Sequence, residues 1–254
     1  MQEYWNLVQK LKAIKIQGYI RTHRAGDTGV GKTLEDLLGV KENNIPGPNG
    51  ILIELKSARK DSSSMLTLFT KSPSPNRSNS VLLQRFGYPS KKGNNRLELH
   101  TTINALALNT LKGKTGFKID VFDDRIEIVG LAFARTSLNN FIGKGEPVTA
   151  LKEVLGYWDM ITLKKSFERK LPKLLYVKAD CRGRGENEEF WYNEAWLLFG
   201  FDFKNFVEFL RKGKVLVDIR IGQYPDGRPH DHGTGFRVFP DDLELCFLHR
   251  ERVL

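Results

Sequence analysis

Apolar and polar positions along the chain follow two periods, one helical and one of alternation. MQEYWNLVQKLKAIKIQG has the spacing of an amphipathic helix over about Gln2–Ile16. A Gly/Thr-rich stretch follows, RTHRAGDTGVGKT, and then a short helical segment, LEDLLG, stopped by Gly39. NNIPGPNG is dense in turn formers and opens into ILIELKSA, where Ile51, Ile53 and Leu55 alternate with Leu52, Glu54 and Lys56. That alternation predicts a strand, and MLTLFTK predicts the next one.

From Ser72 to Asn95 the pattern breaks into Ser, Pro, Asn, Lys and Arg, which predicts a long polar, cationic loop. FKIDVFDDRIEIVG alternates on both sides of Asp123-Asp124, as a β-hairpin does. A helical stretch near Leu163–Lys170 leads into a strand, KLLYVKAD, and FKNFVEFLRKG is a further amphipathic helix with Gly213 as its stop. VLVDIRIGQY and GFRVF read as strands around a polar loop, PDGRPHDHGT. The chain shows no internal repeat and no linker between independent domains, and its mixture of helices with mostly hairpin-connected strands predicts a mixed α/β, or α+β, architecture.

Composition narrows the class. The 254 residues suffice for one large domain or two lobes sharing a core. With 40% hydrophobic and 28% charged residues the chain is an ordinary globular protein. No stretch approaches the roughly 18 apolar residues of a membrane span. The first residues form a helix pattern without the apolar core of a signal peptide, so a cytoplasmic protein is expected. Cys181 and Cys246 lie in no CxxC or zinc spacing and are expected to be free thiols. The four tryptophans, Trp5, Trp158, Trp191 and Trp196, are expected in the core rather than stacked on bases. The net charge of +10 suits a polyanion, because Lys and Arg displace counterions from phosphates.

Three constellations carry candidate chemistry. Gly26–Thr33 fits GxxxxGK[ST], the phosphate-loop pattern, but IQGYIRTHRA before it is short, polar and basic where a buried strand is required. A nucleotide cofactor is therefore not expected. The alternative is a Gly-rich turn feeding a helix that presents Glu35, with the backbone and Lys32 near a DNA phosphate.

The second constellation is Glu54-Leu55-Lys56. Two apart on a strand, Glu54 and Lys56 point to one face. Such a pair suits metal-assisted phosphodiester hydrolysis, with Glu54 and the Leu55 carbonyl as magnesium ligands and Lys56 orienting the attacking water. ExK also occurs as an inert charge pair on solvated strands. PD-(D/E)xK nucleases add an acidic residue just upstream, after a turn. Here Pro48 is present, but Asn49 stands where the Asp is expected. Asn keeps the shape and removes one negative charge, so weaker magnesium binding and slower cleavage are expected, with DNA binding retained.

The third constellation lies near the C-terminus, where Asp218, Arg220, Tyr224, Arg228, His230, Asp231, His232 and Arg237 fall within twenty residues. Arg and His suit guanine, and Asp accepts from cytosine N4. A His-x-His metal pair and a salt-bridged hairpin surface are the competing readings. Lys71, Arg77, Arg85, Lys91, Lys92 and Arg96 in the basic loop are candidate phosphate contacts.

In order, GKTLEDLL, PNGILIELK, LTLFTKSP, FKID, VDIRIG and HDHGTGFR resemble the MvaI/BcnI restriction endonucleases, relatives of the mismatch-repair nickase MutH, from about Tyr4 to Val238. The resemblance implies a restriction-endonuclease-like PD-(D/E)xK core with an added DNA-recognition lobe. One endonuclease unit is expected over 1–254, its catalytic lobe mainly in about 1–125 and its recognition lobe including about 214–240. It implies that Glu35, Asn49, Glu54 and Lys56 form the catalytic set, with Asn49, Glu54 and Leu55 on the metal. The DNA contacts expected are Lys32, Lys71, Arg77, Asp218, Arg220, Tyr224, Arg228, His230, His232 and Arg237. It further implies a magnesium-dependent monomer that clasps double-stranded DNA and cuts a short site of the CCWGG or CCNGG kind, paired with a cognate DNA methyltransferase. A MutH-like nickase and a DNA-binding protein without chemistry remain as alternatives.

Overall fold

In the computed structural model the described residues are 2–40, 44–46, 52–91, 96–133, 150–171 and 173–254. Pro48, Asn49, Ile51 and Lys92, among the residues singled out above, lie outside them. The helices are α1 (Gln2–Ile16), α2 (Gly29–Leu38), α3 (Ser78–Phe86), α4 (Met160–Lys170), α5 (Phe203–Arg211) and α6 (Pro240–Cys246). The first ten strands are β1 (Ile20–Arg21), β2 (Asn44–Pro46), β3 (Leu52–Arg59), β4 (Leu66–Thr70), β5 (Tyr88–Pro89), β6 (Leu97–Ile103), β7 (Thr110–Leu111), β8 (Lys114–Thr115), β9 (Phe117–Val121) and β10 (Arg125–Phe133). The rest are β11 (Ala150–Asp159), β12 (Lys173–Arg182), β13 (Glu189–Phe199), β14 (Val215–Gln223), β15 (Pro229–Asp231), β16 (Gly235–Val238) and β17 (His249–Arg252). Among the described residues no helix is long and apolar enough to cross a membrane.

The chain divides into two compact units, and neither is continuous in sequence. The first comprises Met1–Leu66, Phe167–Asn205 and Phe239–Leu254, and the second Thr67–Ser166 and Phe206–Val238. Residues 67–125 fall with 206–238 in the second unit. The reason is strand pairing: β4 and β6 belong to the sheet of β14 and β16, not to that of β3.

The first unit is built on a sheet in the order β1-β13-β12-β3-β2, with β17 paired to β13. Among the described residues its one parallel pair is β3 with β12, with Glu54 opposite Leu174 and Lys56 opposite Tyr176. β3 is interior to this sheet, and Ile53, Glu54 and Leu55 are all buried. Tyr4, Leu7, Val8, Leu11 and Ile14 form the apolar stripe of α1 and join Val30, Leu34 and Leu38 of α2 in one core with Ile53 and Leu55. Full burial of a side chain such as Leu11 or Leu34 stabilises by about 2 kcal/mol.

α2 begins at Gly29, earlier than LEDLLG alone predicts, and ends where Gly39 turns left-handed at φ 68°. The early start has a packing reason. A methyl group on Gly29 would fall 2.4 Å from the Arg24 carbonyl oxygen, so only glycine admits that approach.

The second unit holds a sheet in the order β4-β16-β14-β6-β5, with β15 on β14, and a three-stranded sheet β11-β10-β9. The expected hairpin about Asp123-Asp124 is β9–β10, paired antiparallel with Glu127 opposite Asp120. An aromatic cluster fills the core: Phe69 stacks on Phe236 at 4.8 Å, and Phe206 and Trp158 meet Phe236 edge-on at 5.5 and 5.3 Å. The expected loop from Ser72 to Asn95 contains α3, whose Leu82 and Leu83 are buried. Phe86 at its end packs on Phe117 at 4.7 Å, but the Ser, Pro, Asn and Arg residues around these apolar positions give the segment the composition of a loop. Trp158 lies in the core as expected, whereas Trp5 is exposed.

Candidate active site and DNA interface

In the first unit the structure brings Glu54 and Lys56 together on one face of β3. The Lys56 ammonium donates to Glu54 Oε1 at 3.0 Å, and Glu54 is only 5% exposed. The other carboxylate oxygen, Oε2, is buried and has no hydrogen-bond partner among the described residues. A buried carboxylate oxygen left unpaired is costly unless a partner other than a side chain satisfies it. A divalent cation bound by oxygen is such a partner, so the residues present fit one. The described donors alone do not complete a site: no group of three or more His, Cys, Asp or Glu converges for a metal among the described residues. Asn49, the expected further ligand, lies outside them.

Glu35 is half-buried on α2, which packs on the face of β3 that carries Leu55. Lys32, on the same helix, pairs with Asp36 at 2.7 Å, and His23 Nδ1 lies 3.0 Å from the other oxygen of Asp36. These two contacts hold the Asp36 carboxyl below its usual range, the Lys32 hydrogen bond most of all. Gly29 and Gly31 lie inside the helix, so the segment is a helix start packed against neighbours rather than a phosphate-cradling loop.

A clamp that sequence reasoning missed holds this region together. Arg59 at the end of β3 makes a two-pronged contact with Glu188, Nε to Oε1 at 2.6 Å and a terminal nitrogen to Oε2 at 2.7 Å. The same guanidinium donates to the carbonyls of Gly26 and Asp27 at 3.0 and 3.2 Å. It thus ties the start of α2 to the strand carrying Glu54 and Lys56. Neither cysteine is in a disulfide, and burial pushes the Cys181 thiol up to about 11, away from reactivity.

In the second unit the central strand β14 presents Asp218 and Arg220 on one sheet face, as their spacing predicts. Asp218 is buried; its Oδ2 accepts from Arg220 Nε at 2.7 Å and is ion-paired with Arg237 Nε at 3.1 Å, and its Oδ1 accepts from Thr102 at 3.3 Å. Burial lowers the pKa of Arg237, and the Asp218 charge opposes that shift. The two arginines differ in access: the Arg220 side chain is 46% exposed and that of Arg237 20%.

Beyond Arg220 the rings gather. His230 stacks on Tyr224 at 4.4 Å, His232 lies 4.2 Å from His230, and the Arg228 guanidinium sits 5.7 Å over Tyr224 while pairing with Asp226. His100 of β6, directly opposite Arg220, extends this row. A cavity of about 200 Å³ is lined by His100, Tyr224, His230 and His232 among others. The Gly222 backbone carries the His232 ring so closely that a Cβ would lie 2.6 Å from its Nε2.

Asp231 plays another part than base reading. Its Oδ1 accepts from the Gly233 and Thr234 amides, and its Oδ2 from Ser72 and Asn79. It shapes the turn that follows β15. In the basic segment, Arg85 is engaged with Glu153 and the Leu131 carbonyl, while Arg77 and Lys91 are exposed and Lys71 is half-buried. Thr102 and His100 were missed in the sequence, although LELHTTI alternates Leu97, Leu99 and Ile103 with polar positions between them.

A sequence model of the MvaI/BcnI restriction endonuclease family matches residues 8–247. Among solved structures, MvaI in complex with its cognate DNA substrate is 29% identical over 100% of both chains, with a TM-score of 0.78. MvaI in the absence of DNA is 27% identical over 100% of this chain and 98% of that one, with a TM-score of 0.55. No curated protein matches the chain at a significant level.

Proposed function

The chain belongs to the MvaI/BcnI restriction endonuclease family, and from that premise we propose a magnesium-dependent type II enzyme that cuts duplex DNA at a short G·C-rich site. Membership makes it a restriction endonuclease acting on DNA. The likeness to MvaI bound to cognate DNA supports double-stranded DNA as its substrate. The observation that carries the chemistry is the Glu54 carboxylate, buried, with one oxygen on Lys56 and the other without a partner among the described residues.

In this reading Glu54, the Leu55 carbonyl and the Asn49 side chain would hold magnesium, and Glu35, on the helix that packs against the opposite face of β3, would support the site indirectly. Held there, a magnesium ion would supply Lewis-acid chemistry for phosphodiester hydrolysis. Lys56 orients the attacking water and neutralises charge that grows on the phosphate oxygens. Water adds to phosphorus, the O3′–P bond breaks, and the products carry 5′-phosphate and 3′-hydroxyl ends. In the second unit Asp218, Arg220, Tyr224, Arg228, His230, His232 and Arg237 read a site of the CCWGG or CCNGG kind; Lys71 and Arg77 of that unit and Lys32 of the first contact phosphates. The enzyme acts as a monomer with one active site, alongside a methyltransferase that protects the host's copies of the site.

Asn49 favours a second reading, a site-specific DNA-binding protein whose cleavage is weak or lost, because an amide cannot supply the charge of a carboxylate to the metal. One experiment separates them. The protein and its Asn49→Asp variant are incubated with unmethylated plasmid and magnesium, and fragment ends are mapped. Discrete cutting that rises sharply in the Asp variant is expected. Site-specific binding with no cutting by either protein, across divalent metals, would establish the second reading.

A further inference from the structure

The hairpin β7–β8 lies outside every segment considered so far. Its strands pair Thr110 with Thr115 and Leu111 with Lys114, leaving a two-residue turn, Lys112-Gly113. Both turn residues have positive φ, 49° and 78°, the pattern of a type I′ hairpin. Asn or Gly ordinarily fills the first of these positions, because a β-carbon resists the left-handed backbone. Lys112 is the one non-glycine residue with positive φ among the described residues. A lysine kept at a conformational cost is a pointer to function rather than to stability.

The hairpin is also held rigidly, and held in a particular place. At its base the Asn109 amide donates to Thr101 Oγ1 at 2.6 Å, and its Oδ1 accepts from the Phe117 amide at 2.9 Å. Gly116 is obligatory there, since a Cβ would fall 2.1 Å from Asn109 Oδ1. Thr101 and Thr102 lie opposite Ile219 and Asp218 on β14. At its tip the Lys112 ammonium sits 4.6 Å from the centre of the Tyr88 ring, and the Tyr88 hydroxyl accepts from the His100 amide at 3.3 Å. His100 lies opposite Arg220. Two separate anchors therefore fix an exposed basic hairpin beside the strand that carries Asp218 and Arg220, and neither Lys112 nor Lys114 pairs with a carboxylate among the described residues.

We propose that the Thr110–Thr115 hairpin is a second DNA-contacting element, in which Lys112 and Lys114 bind backbone phosphates next to the bases read from β14. The proposal rests on the reading of this sheet as the DNA interface. Phosphate contacts set affinity and register without reading sequence, and each one lost lowers the slope of log affinity against log salt by about 0.9.

The test uses full-length protein, labelled duplexes with and without a CCWGG site, and metal-free buffer to suppress cleavage. Binding is followed by fluorescence anisotropy across a range of sodium chloride. The Lys112→Gly variant should bind every duplex several-fold more weakly and lower the salt slope by about 0.9, with site preference unchanged. Its melting temperature should stay level or rise, because glycine adopts positive φ freely. Adding Lys114→Gln should lower the slope by a similar further step, and Lys112→Arg should restore the wild-type slope. Wild-type affinity and slope in both glycine-bearing variants would overturn the hairpin proposal and leave the interface standing. Wild-type protein that binds no duplex at low salt would overturn the interface together with it.

Discussion

Lys56 donates to one oxygen of the Glu54 carboxylate at 3.0 Å, and the other oxygen of that buried carboxylate has no partner among the described residues. The arrangement is half a site: a fixed charge with one acceptor free. Glu54→Gln keeps the volume and removes the charge, so cleavage of plasmid DNA should vanish while duplex binding persists. Lys56→Met leaves the carboxylate buried without its cation and should cost about 3 kcal/mol of stability in urea unfolding. A Lys56→Met protein as stable as wild type would mean that another group already neutralises Glu54.

Asp218 is the shared acceptor of Arg220 and Arg237, and the two arginines should separate stability from specificity. Asp218→Asn leaves both guanidinium groups facing an uncharged amide and should destabilise the second unit by about 3 kcal/mol. Arg220→Ala removes the more exposed partner. It should lose about 1–3 kcal/mol of discrimination between cognate and noncognate duplexes, with salt-dependent background binding intact. Competition binding measures both quantities, and an equal loss on every sequence would remove Arg220 from the readers.

Gly222 is the seat of the His232 ring. A Cβ there meets the far end of the His232 side chain and no backbone atom, so Gly222→Ala should change stability by less than about 1 kcal/mol. It should nonetheless displace His232 and shift site preference, which selection of bound duplexes from a randomised pool would reveal. Unchanged preference would make His232 a bystander.

The acid limb of stability should depend on Asp120. Burial alone would raise its pKa, but the ammonium groups of Lys118 at 2.8 Å and Lys152 at 2.6 Å outweigh burial and hold the carboxyl below its usual value. A carboxyl depressed in the folded state adds stability that is complete above the unfolded value of about 3.9 and is lost as pH falls through the lower folded value. Asp120→Asn should therefore be less stable than wild type at neutral pH, by about 1 kcal/mol or less given the exposure of Lys152. The difference should close as pH drops below about 4. A difference that persists unchanged in acid would trace to packing instead.

Much of the candidate site was legible before any coordinates. Glu54 and Lys56 are two apart in an alternating run, and alternation is a local property of the backbone. Asp218 and Arg220 were legible for the same reason. α3 was not, because its buried residues are few and its neighbours are those of a loop. The Arg59–Glu188 clamp was not legible either: its partners are 129 residues apart, and no local pattern links them. Asp231 looked like a base reader by composition, yet its oxygens are occupied by Ser72, Asn79 and two amides of its own turn.

By itself the sequence determined which residue types stand at short spacing on a strand, the stops at Gly39 and Gly213, two cysteines outside any disulfide and the family resemblance. These follow from local sterics and period, which need no knowledge of distant partners. Tertiary structure alone decided that β3 is interior, so that Glu54 is buried, and that β4 and β6 pair with β16 and β14. It also brought His100, Thr102 and Tyr88 alongside Arg220. Strand pairing joins segments far apart in the chain, and hydrogen bonds between strands carry no mark in either segment of which partner each will take.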